Sequence, residues 1–79
     1  VNNLMVENIE FTKHVQVSLN RHVVGDWGEI STEDKLSNEA ALLDGERLFS
    51  AYTKDGLPPI WIITESDRSV TTVLFPDEY

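Results

Sequence analysis

Cysteine is absent from this chain of 79 residues, and its absence excludes disulfide frameworks, thiolate metal sites and cysteine nucleophiles. The lack of cysteine also fits a cytoplasmic location, which we expect here. No apolar run approaches the ~20 residues that span a bilayer. The first residues show no basic segment followed by a hydrophobic stretch, so we expect neither a membrane protein nor a secreted one. At this length the chain builds one small domain with one core, over residues 1–79.

Basic residues are scarce, with six Lys and Arg against fourteen Asp and Glu, and the formal charge is −8. Because phosphate contacts need clustered Lys and Arg, direct binding of nucleic acid is not expected. Between residues 26 and 46, Lys35 is the only base among seven acids. These acids either form a solvated face that keeps the protein soluble or present an acidic surface to a basic partner. In the second case the contacting residues are Asp26, Glu29, Glu33, Asp34 and Glu39.

The N-terminal half predicts two helices. Residues 1–10 alternate weakly and are either a frayed start or a short edge strand. A spacing of four predicts a helix from about Thr12 to Val24, ended by Gly25, although a strand pattern competes over residues 15–19. The apolar face of that helix would consist of Phe11, Val15, Leu19 and Val23.

The second helix should open at Ser31 and end at Gly45. Its apolar face is predicted to hold Leu36, Ala40 and Leu43. Asn38 is a candidate for bridging buried backbone groups with its side-chain amide. In the connection between the two helices, Trp27 is expected to close one end of the core, and Asp26 to pair with Arg21 or His22 or to accept backbone amides.

The C-terminal half predicts three strands. Residues 46–54 change to a period of two, with Leu48 and Tyr52 competing against Phe49 and Ala51 for the core. A turn at Asp55-Gly56 leads to a central strand over residues 60–64, and a polar turn over 65–69 leads to a third strand over 70–75. The expected fold is α+β, with two N-terminal helices packed on a three-stranded antiparallel β-meander. Since both faces of the sheet carry large apolar groups, the uncovered face predicts an interface, for which a homodimer is the simplest form.

Three stretches and Asn38 together resemble a family of small bacterial proteins labelled as plasmid-related. The stretches are residues 21–28, 45–52 and 61–79, which read RHVVGDWG, GERLFSAY and WIITESDRSVTTVLFPDEY. The resemblance covers roughly residues 15–79 and implies a bacterial origin and a link to mobile elements. The residues of possible functional role in these stretches are Arg21, His22, Asp26, Trp27, Trp61, Glu65, Asp67 and Arg68.

No spacing of polar residues demands a catalytic centre, and we predict no enzyme, metal or cofactor. The expected function is that of a non-catalytic accessory protein of a mobile element that binds another protein. One form is an acidic inhibitor of a nucleic-acid-binding host defence protein. Two alternatives stay open: a small enzyme or ligand-binding domain that uses His22, Asp26 and Arg68, and a dimeric structural module. For Arg68, a salt bridge to a neighbouring acid is the simplest role.

Overall fold

The computed structural model describes Met5 and residues 8–79, and within that part the fold is α+β, as predicted. Two helices precede an antiparallel sheet in which the strands follow one another in the order β1-β2-β3. None of the described helices combines the length and apolar character that crossing a bilayer requires. The elements are α1 (Ile9–Val23), α2 (Thr32–Asp44), β1 (Leu48–Lys54), β2 (Leu57–Thr64), β3 (Thr71–Leu74) and a final 3₁₀ turn (Pro76–Glu78).

Helix α1 begins earlier than its apolar spacing predicts. Asn8 is the N-cap, and its side-chain oxygen accepts hydrogen bonds from the backbone amides of Glu10 and Phe11 at 3.0 and 3.1 Å. The predicted frayed start or edge strand is therefore wrong for residues 8–10, and residues 1–4 and 6–7 lie outside the described part. At the other end Gly25 is left-handed, with φ of 83°, as predicted. Its amide and that of Asp26 bond back to the carbonyls of His22 and Arg21, which completes a Schellman motif.

The buried stripe of α1 is more polar than expected. Phe11 and Val15 are buried as predicted, but Val23 is 81% exposed. Three polar residues take the remaining positions at intervals of four, namely His14, Ser18 and His22. The sheet side facing α1 is itself partly polar, and His22 bonds the buried Ser50 and Thr64 there. His14 Nε2 and the Ser18 hydroxyl, by contrast, are buried without a hydrogen-bond partner among the described residues.

Helix α2 begins and ends where predicted, but it buries the face opposite to the predicted one. The hydroxyl of Ser31 accepts the amide of Asp34 at 3.1 Å, and Gly45 is left-handed with φ of 75°. The predicted core face is wrong, since Leu36 is 65% exposed, Leu43 is 90% exposed and Ala40 is exposed. Asn38 and Ala41 are buried instead. This orientation brings the side chain of Asn38 to the edge of β1.

The open edge of β1 is closed by three successive groups from the helical half. The side-chain amide of Asn38 bonds both the N–H (3.0 Å) and the C=O of Phe49, as predicted for this residue. The segment around Gly28 forms a parallel bridge to Ala51. The carboxylate of Glu29 then accepts the amide of Thr53 at 3.2 Å. These contacts satisfy the outward-facing groups of an edge strand that would otherwise invite pairing.

The two hairpins follow the predicted turns with a longer β2. Asp55-Gly56 connects β1 to β2, and the register shifts between Tyr52 and Lys54, so that Pro58 and Pro59 lie in the irregular part of the ladder. Beyond it, β2 pairs with both neighbours and is the central strand, as predicted.

The core resolves which face of the sheet is inside. On one face, the side chains of Tyr52, Ile60 and Ile62 pack with Phe11 and Val15 of α1. A second cluster joins α2 to the sheet and contains Trp27, Ala41 and Leu48, so the predicted burial of Trp27 is confirmed. The outer face carries Phe49, Trp61 and Ile63, and the C-terminal Tyr79 lies against Trp61 at a centroid distance of 5.6 Å. The chain therefore covers part of its second apolar face with its own C-terminus.

Candidate functional site

Arg21 and Asp26 form a two-pronged ion pair across the end of α1. The guanidinium donates to the two carboxylate oxygens at 2.7 and 3.1 Å, and this pairing lowers the pKa of the Asp26 carboxyl. The same carboxylate accepts a hydrogen bond from the amide of Gly28 at 3.3 Å. Two predictions for Asp26 are therefore confirmed, namely that it pairs with Arg21 and that it accepts a backbone amide. Tyr52 completes the group, because its hydroxyl donates to the carbonyl of Asp26 at 2.6 Å and its ring lies 4.8 Å below the Arg21 guanidinium. These contacts fix the turn after α1.

His22 is buried and both of its ring nitrogens are occupied. Nδ1 lies 2.6 Å from the hydroxyl of Ser50, and Nε2 lies 2.8 Å from the hydroxyl of Thr64, which in turn lies 3.0 Å from the hydroxyl of Thr71. Burial lowers the pKa of His22, so the imidazole is neutral near pH 7 and each nitrogen acts as a donor or an acceptor to a hydroxyl. The result is a chain of hydrogen bonds from the interior at Ser50 to the surface at Thr71.

Trp27 packs beside this chain. Its ring meets the His22 imidazole edge to face at a centroid distance of 5.5 Å, and its indole N–H donates to the carboxylate of Glu39 at 3.2 Å. Glu39 is therefore exposed to solvent and also holds the Trp27 indole. Of the other predicted partner-binding acids, Asp26 is paired with Arg21 and Glu29 accepts the amide of Thr53.

Arg68 joins the β2–β3 turn to the C-terminal end of α2. Its guanidinium donates to the carbonyl oxygens of Glu46 at 2.6 Å and Ala41 at 3.1 Å. The expected salt bridge to an acid is wrong, because the guanidinium instead donates to backbone carbonyls at and just beyond the C-terminal end of α2, where the helix dipole favours a cation. Arg68 adopts a positive φ of 63°, and within the same turn Asp67 accepts both the amide and the hydroxyl of Ser69. Glu65 pairs with Arg47 at 3.2 Å.

The three side chains of the enzyme alternative do not converge on one another. In the part of the chain described here, His22 bonds Ser50 and Thr64, Asp26 bonds Arg21 and Gly28, and Arg68 bonds carbonyls at the end of α2. No partner is shared among them. Over the same residues, no group of three or more His, Asp or Glu side chains is arranged to hold a metal ion.

An apolar cavity opens between the C-terminal ends of the two helices and the sheet, and we call it the terminal groove. Its volume is about 390 Å³. The residues that line it are Leu19, His22, Val23, Val24, Gly25, Trp27, Leu42, Leu48, Thr64 and Thr71. Val23 and Val24 are about 80% exposed, at 81% and 80%, and Leu42 is half exposed at the rim. The exposed hydroxyl of Thr71, which also lines the groove, ends the hydrogen-bond chain from His22. This combination of a wide apolar wall and few polar groups is typical of a binding site.

A second cavity of about 300 Å³ lies on the outer face of the sheet, and we call it the aromatic pocket. It is lined by Asp34, Arg47, Phe49, Trp61, Ile63 and Tyr79. Of these residues, the sequence singled out only Asp34 and Trp61 as functional candidates. Phe49 lies on β1 and Arg47 precedes that strand, and their alternation with Leu48 predicted that the two share a face. Nothing in the sequence indicated that Tyr79 folds back over β2.

Comparisons with protein-family models, with curated proteins and with solved structures found no match to this chain. Function therefore has to be inferred from the geometry of these residues.

Proposed function

We propose that the protein is a non-catalytic module that binds a basic protein through the terminal groove and the acidic surface of α2. The observation that carries this proposal is the apolar rim of the groove. Two adjacent valines at the end of α1 and Leu42 of α2 project into solvent around one cavity. A domain of this size that leaves such side chains unburied beside a cavity has an energetic reason to associate, since covering them removes apolar surface from water.

The charge around the rim supports a basic partner. Asp44 and Glu46 are exposed two and four residues after the rim residue Leu42, whereas Glu33 and Asp34 are exposed in the first turn of α2, at the opposite end of the helix. With a net charge of −8, the chain attracts a cationic surface and repels an anionic one over distances of about a Debye length, ~8–10 Å at physiological salt. Anchoring would come from the apolar rim, whereas the acids would steer the partner and select it.

The structural roles of the motif residues favour binding over catalysis. Arg21, Asp26 and Trp27 hold the turn after α1, and Arg68 holds the end of α2. These contacts place the rim valines and Leu42 at the same end of the molecule. The narrower form of the proposal, supported by the resemblance to plasmid-related proteins, is that the basic partner is a nucleic-acid-binding defence protein of a bacterial host, whose binding channel this acidic protein occupies.

The test compares two lysine substitutions in binding to bacterial lysate. Val24→Lys places a cation in the rim, and Val17→Lys makes the same change at an exposed position of α1 outside the groove. We expect that a partner protein from the lysate binds the wild-type domain and Val17→Lys but not Val24→Lys. Raising the salt concentration should release this partner. The isolated partner should then lose nucleic-acid binding when the wild-type domain is added. Equal retention by both variants, or retention that salt does not affect, would contradict the proposal.

A homodimer through the outer sheet face remains a separate proposal, supported by the half-buried rings of Phe49 and Trp61. Sedimentation velocity over a range of concentrations distinguishes the two. A dimer that persists in Trp61→Leu but not in Val24→Lys would place the self-contact at the groove instead.

A further inference from the structure

The aromatic pocket is assembled from four parts of the chain that are distant in sequence. Asp34 comes from the first turn of α2, Phe49 from β1, Trp61 from β2 and Tyr79 from the C-terminus. Its volume of about 300 Å³ is at the small end of ligand sites and suits a single long side chain.

Three rings form walls that meet at steep angles. Phe49 and Trp61 are 5.1 Å apart between centroids at an interplanar angle of 83°, and Trp61 and Tyr79 are 5.6 Å apart at 65°. Both pairs meet edge to face, so the edge of one ring covers one face of its neighbour and other ring faces stay uncovered by these pairs. Because a ring face carries the negative part of the quadrupole, an uncovered face in an aromatic-lined pocket attracts a cation, and Trp attracts it most strongly.

Two charged side chains line the pocket, Asp34 and Arg47, and of these two only Arg47 has an ion-pair partner among the described residues. Arg47 is matched by Glu65, with Nε 3.2 Å from Oε1, and its guanidinium also donates to the Tyr79 hydroxyl at 3.4 Å. The Asp34 carboxylate, by contrast, has no ion pair or hydrogen-bond partner among Met5 and residues 8–79. An anionic ligand would meet this carboxylate and the overall charge of −8, whereas a cationic ligand would be paired by it.

We propose that the aromatic pocket binds the guanidinium group of an arginine side chain, stacked on Trp61 and paired with Asp34. A guanidinium is planar, weakly hydrated and suited both to aromatic faces and to carboxylates, which together are what this pocket offers. The source of the arginine is the basic protein partner, and this part of the inference rests on the proposed function.

The test uses a small probe that needs no partner. N-acetyl-arginine amide is titrated into the ¹⁵N-labelled protein, with N-acetyl-citrulline amide as the neutral probe of nearly the same shape. We expect saturable chemical-shift changes at the Trp61 indole and at Asp34 and Tyr79 with the arginine probe, and no saturation with the citrulline probe. Saturation by both probes to the same extent, or by neither, overturns the proposal.

A matched pair of variants separates the pocket from the general charge. Asp34→Asn and Glu33→Gln each remove one acid from the first turn of α2, but only Asp34 lines the pocket. Asp34→Asn should weaken arginine binding about two- to five-fold, as expected for one exposed ion pair, and Glu33→Gln should leave it unchanged. An equal loss in both variants means that the probe senses only net charge, which also overturns the proposal.

The two proposals fail in different ways. In one outcome the aromatic pocket binds the arginine probe, but no lysate protein loses its binding in Val24→Lys. This outcome would refute the function at the terminal groove and leave the pocket proposal in place. A partner that depends on Val24 but binds Asp34→Asn and the wild type equally, together with no arginine saturation, would refute only the pocket.

Discussion

Replacing Asn38 by Ala should strongly destabilise the domain, because this buried side chain of α2 holds the edge of β1. Asn38 is 4% exposed and holds both the N–H and the C=O of Phe49 at the edge of β1. An unsatisfied buried backbone group costs about 1–3 kcal/mol, so losing both partners costs about 2–6 kcal/mol. The higher helix propensity of Ala offsets about 0.5 kcal/mol of this. A domain of this length is stable by roughly 4–12 kcal/mol, so the remaining loss is a large fraction of the total.

The assay is urea unfolding followed by circular dichroism, with Ser37→Ala as the matched control on the same helix, since Ser37 is exposed. Ser37→Ala should stay within about 0.5 kcal/mol of the wild type. Amide exchange provides the local readout, because the Phe49 amide should lose protection before its neighbours do. If Asn38→Ala and Ser37→Ala unfold within about 0.5 kcal/mol of each other, the edge of β1 does not depend on this side chain and the reasoning is refuted.

A second variant tests the same contact by pH. In Asn38→Asp the carboxylate still accepts the Phe49 amide, but it has no proton to donate to the Phe49 carbonyl. The variant should be destabilised at pH 7, and its deficit relative to the wild type at the same pH should shrink as the carboxyl is protonated. A deficit that grows on acidification would contradict this account.

Three further outcomes are expected. Burial lowers the pKa values of His14 and His22, so the unfolded chain takes up protons before the folded chain does as pH falls below about 6.5. The free energy of unfolding should therefore drop by up to ~1.4 kcal/mol per pH unit for each histidine. Urea unfolding from pH 7.5 to 5 measures this slope, and an unchanged slope in His14→Gln would show that His14 contributes nothing. Gly28→Ala should cost about 1–3 kcal/mol more of the free energy of unfolding than Gly45→Ala. Both glycines are left-handed, but a Cβ at Gly28 would overlap the Ala51 carbonyl and lie 2.8 Å from the Tyr52 ring, whereas a Cβ at Gly45 would meet nothing within 4 Å. Equal thermal midpoints for the two variants would exclude that crowding. Arg68→Ala should destabilise more than Arg47→Ala, since the Arg68 guanidinium donates to the carbonyls of Ala41 and Glu46. Arg47 makes an exposed ion pair with Glu65, worth roughly 0–1 kcal/mol, and a long hydrogen bond of 3.4 Å to the Tyr79 hydroxyl. The reverse order in chemical unfolding would rule out this role for Arg68.

Local signals in the sequence predicted the ends of the elements well. Gly25 and Gly45 are left-handed where the sequence placed the helix ends, and Ser31 caps α2. These features depend on backbone geometry within a few residues, which one residue type specifies. The polar turn after β2 was predicted for the same reason.

The buried faces of the helices were harder to predict, because apolar spacing assumes that apolar residues face the core. In α2 the amide of Asn38 must reach β1 and Ala41 must fit against Trp27 and Leu48, so the leucines turn outward. In α1 His22 is buried where it bonds the hydroxyls of Ser50 and Thr64 on the sheet, whereas Val23 is exposed. Both outcomes depend on partners distant in sequence, which periodicity does not contain. The two cavities share this origin, since each combines residues from both halves of the chain.

The closure of the β1 edge by Asn38, Gly28 and Glu29 also limits how copies of this chain can assemble. Backbone pairing between copies would have to use the β3 end of the sheet. A sheet that can be extended at only one end stops growing once two copies have joined, because the joined sheet has a closed β1 edge at each extremity. Strand pairing could therefore give a closed pair of molecules but not a fibre. The residues that close the β1 edge would prevent the addition of further copies.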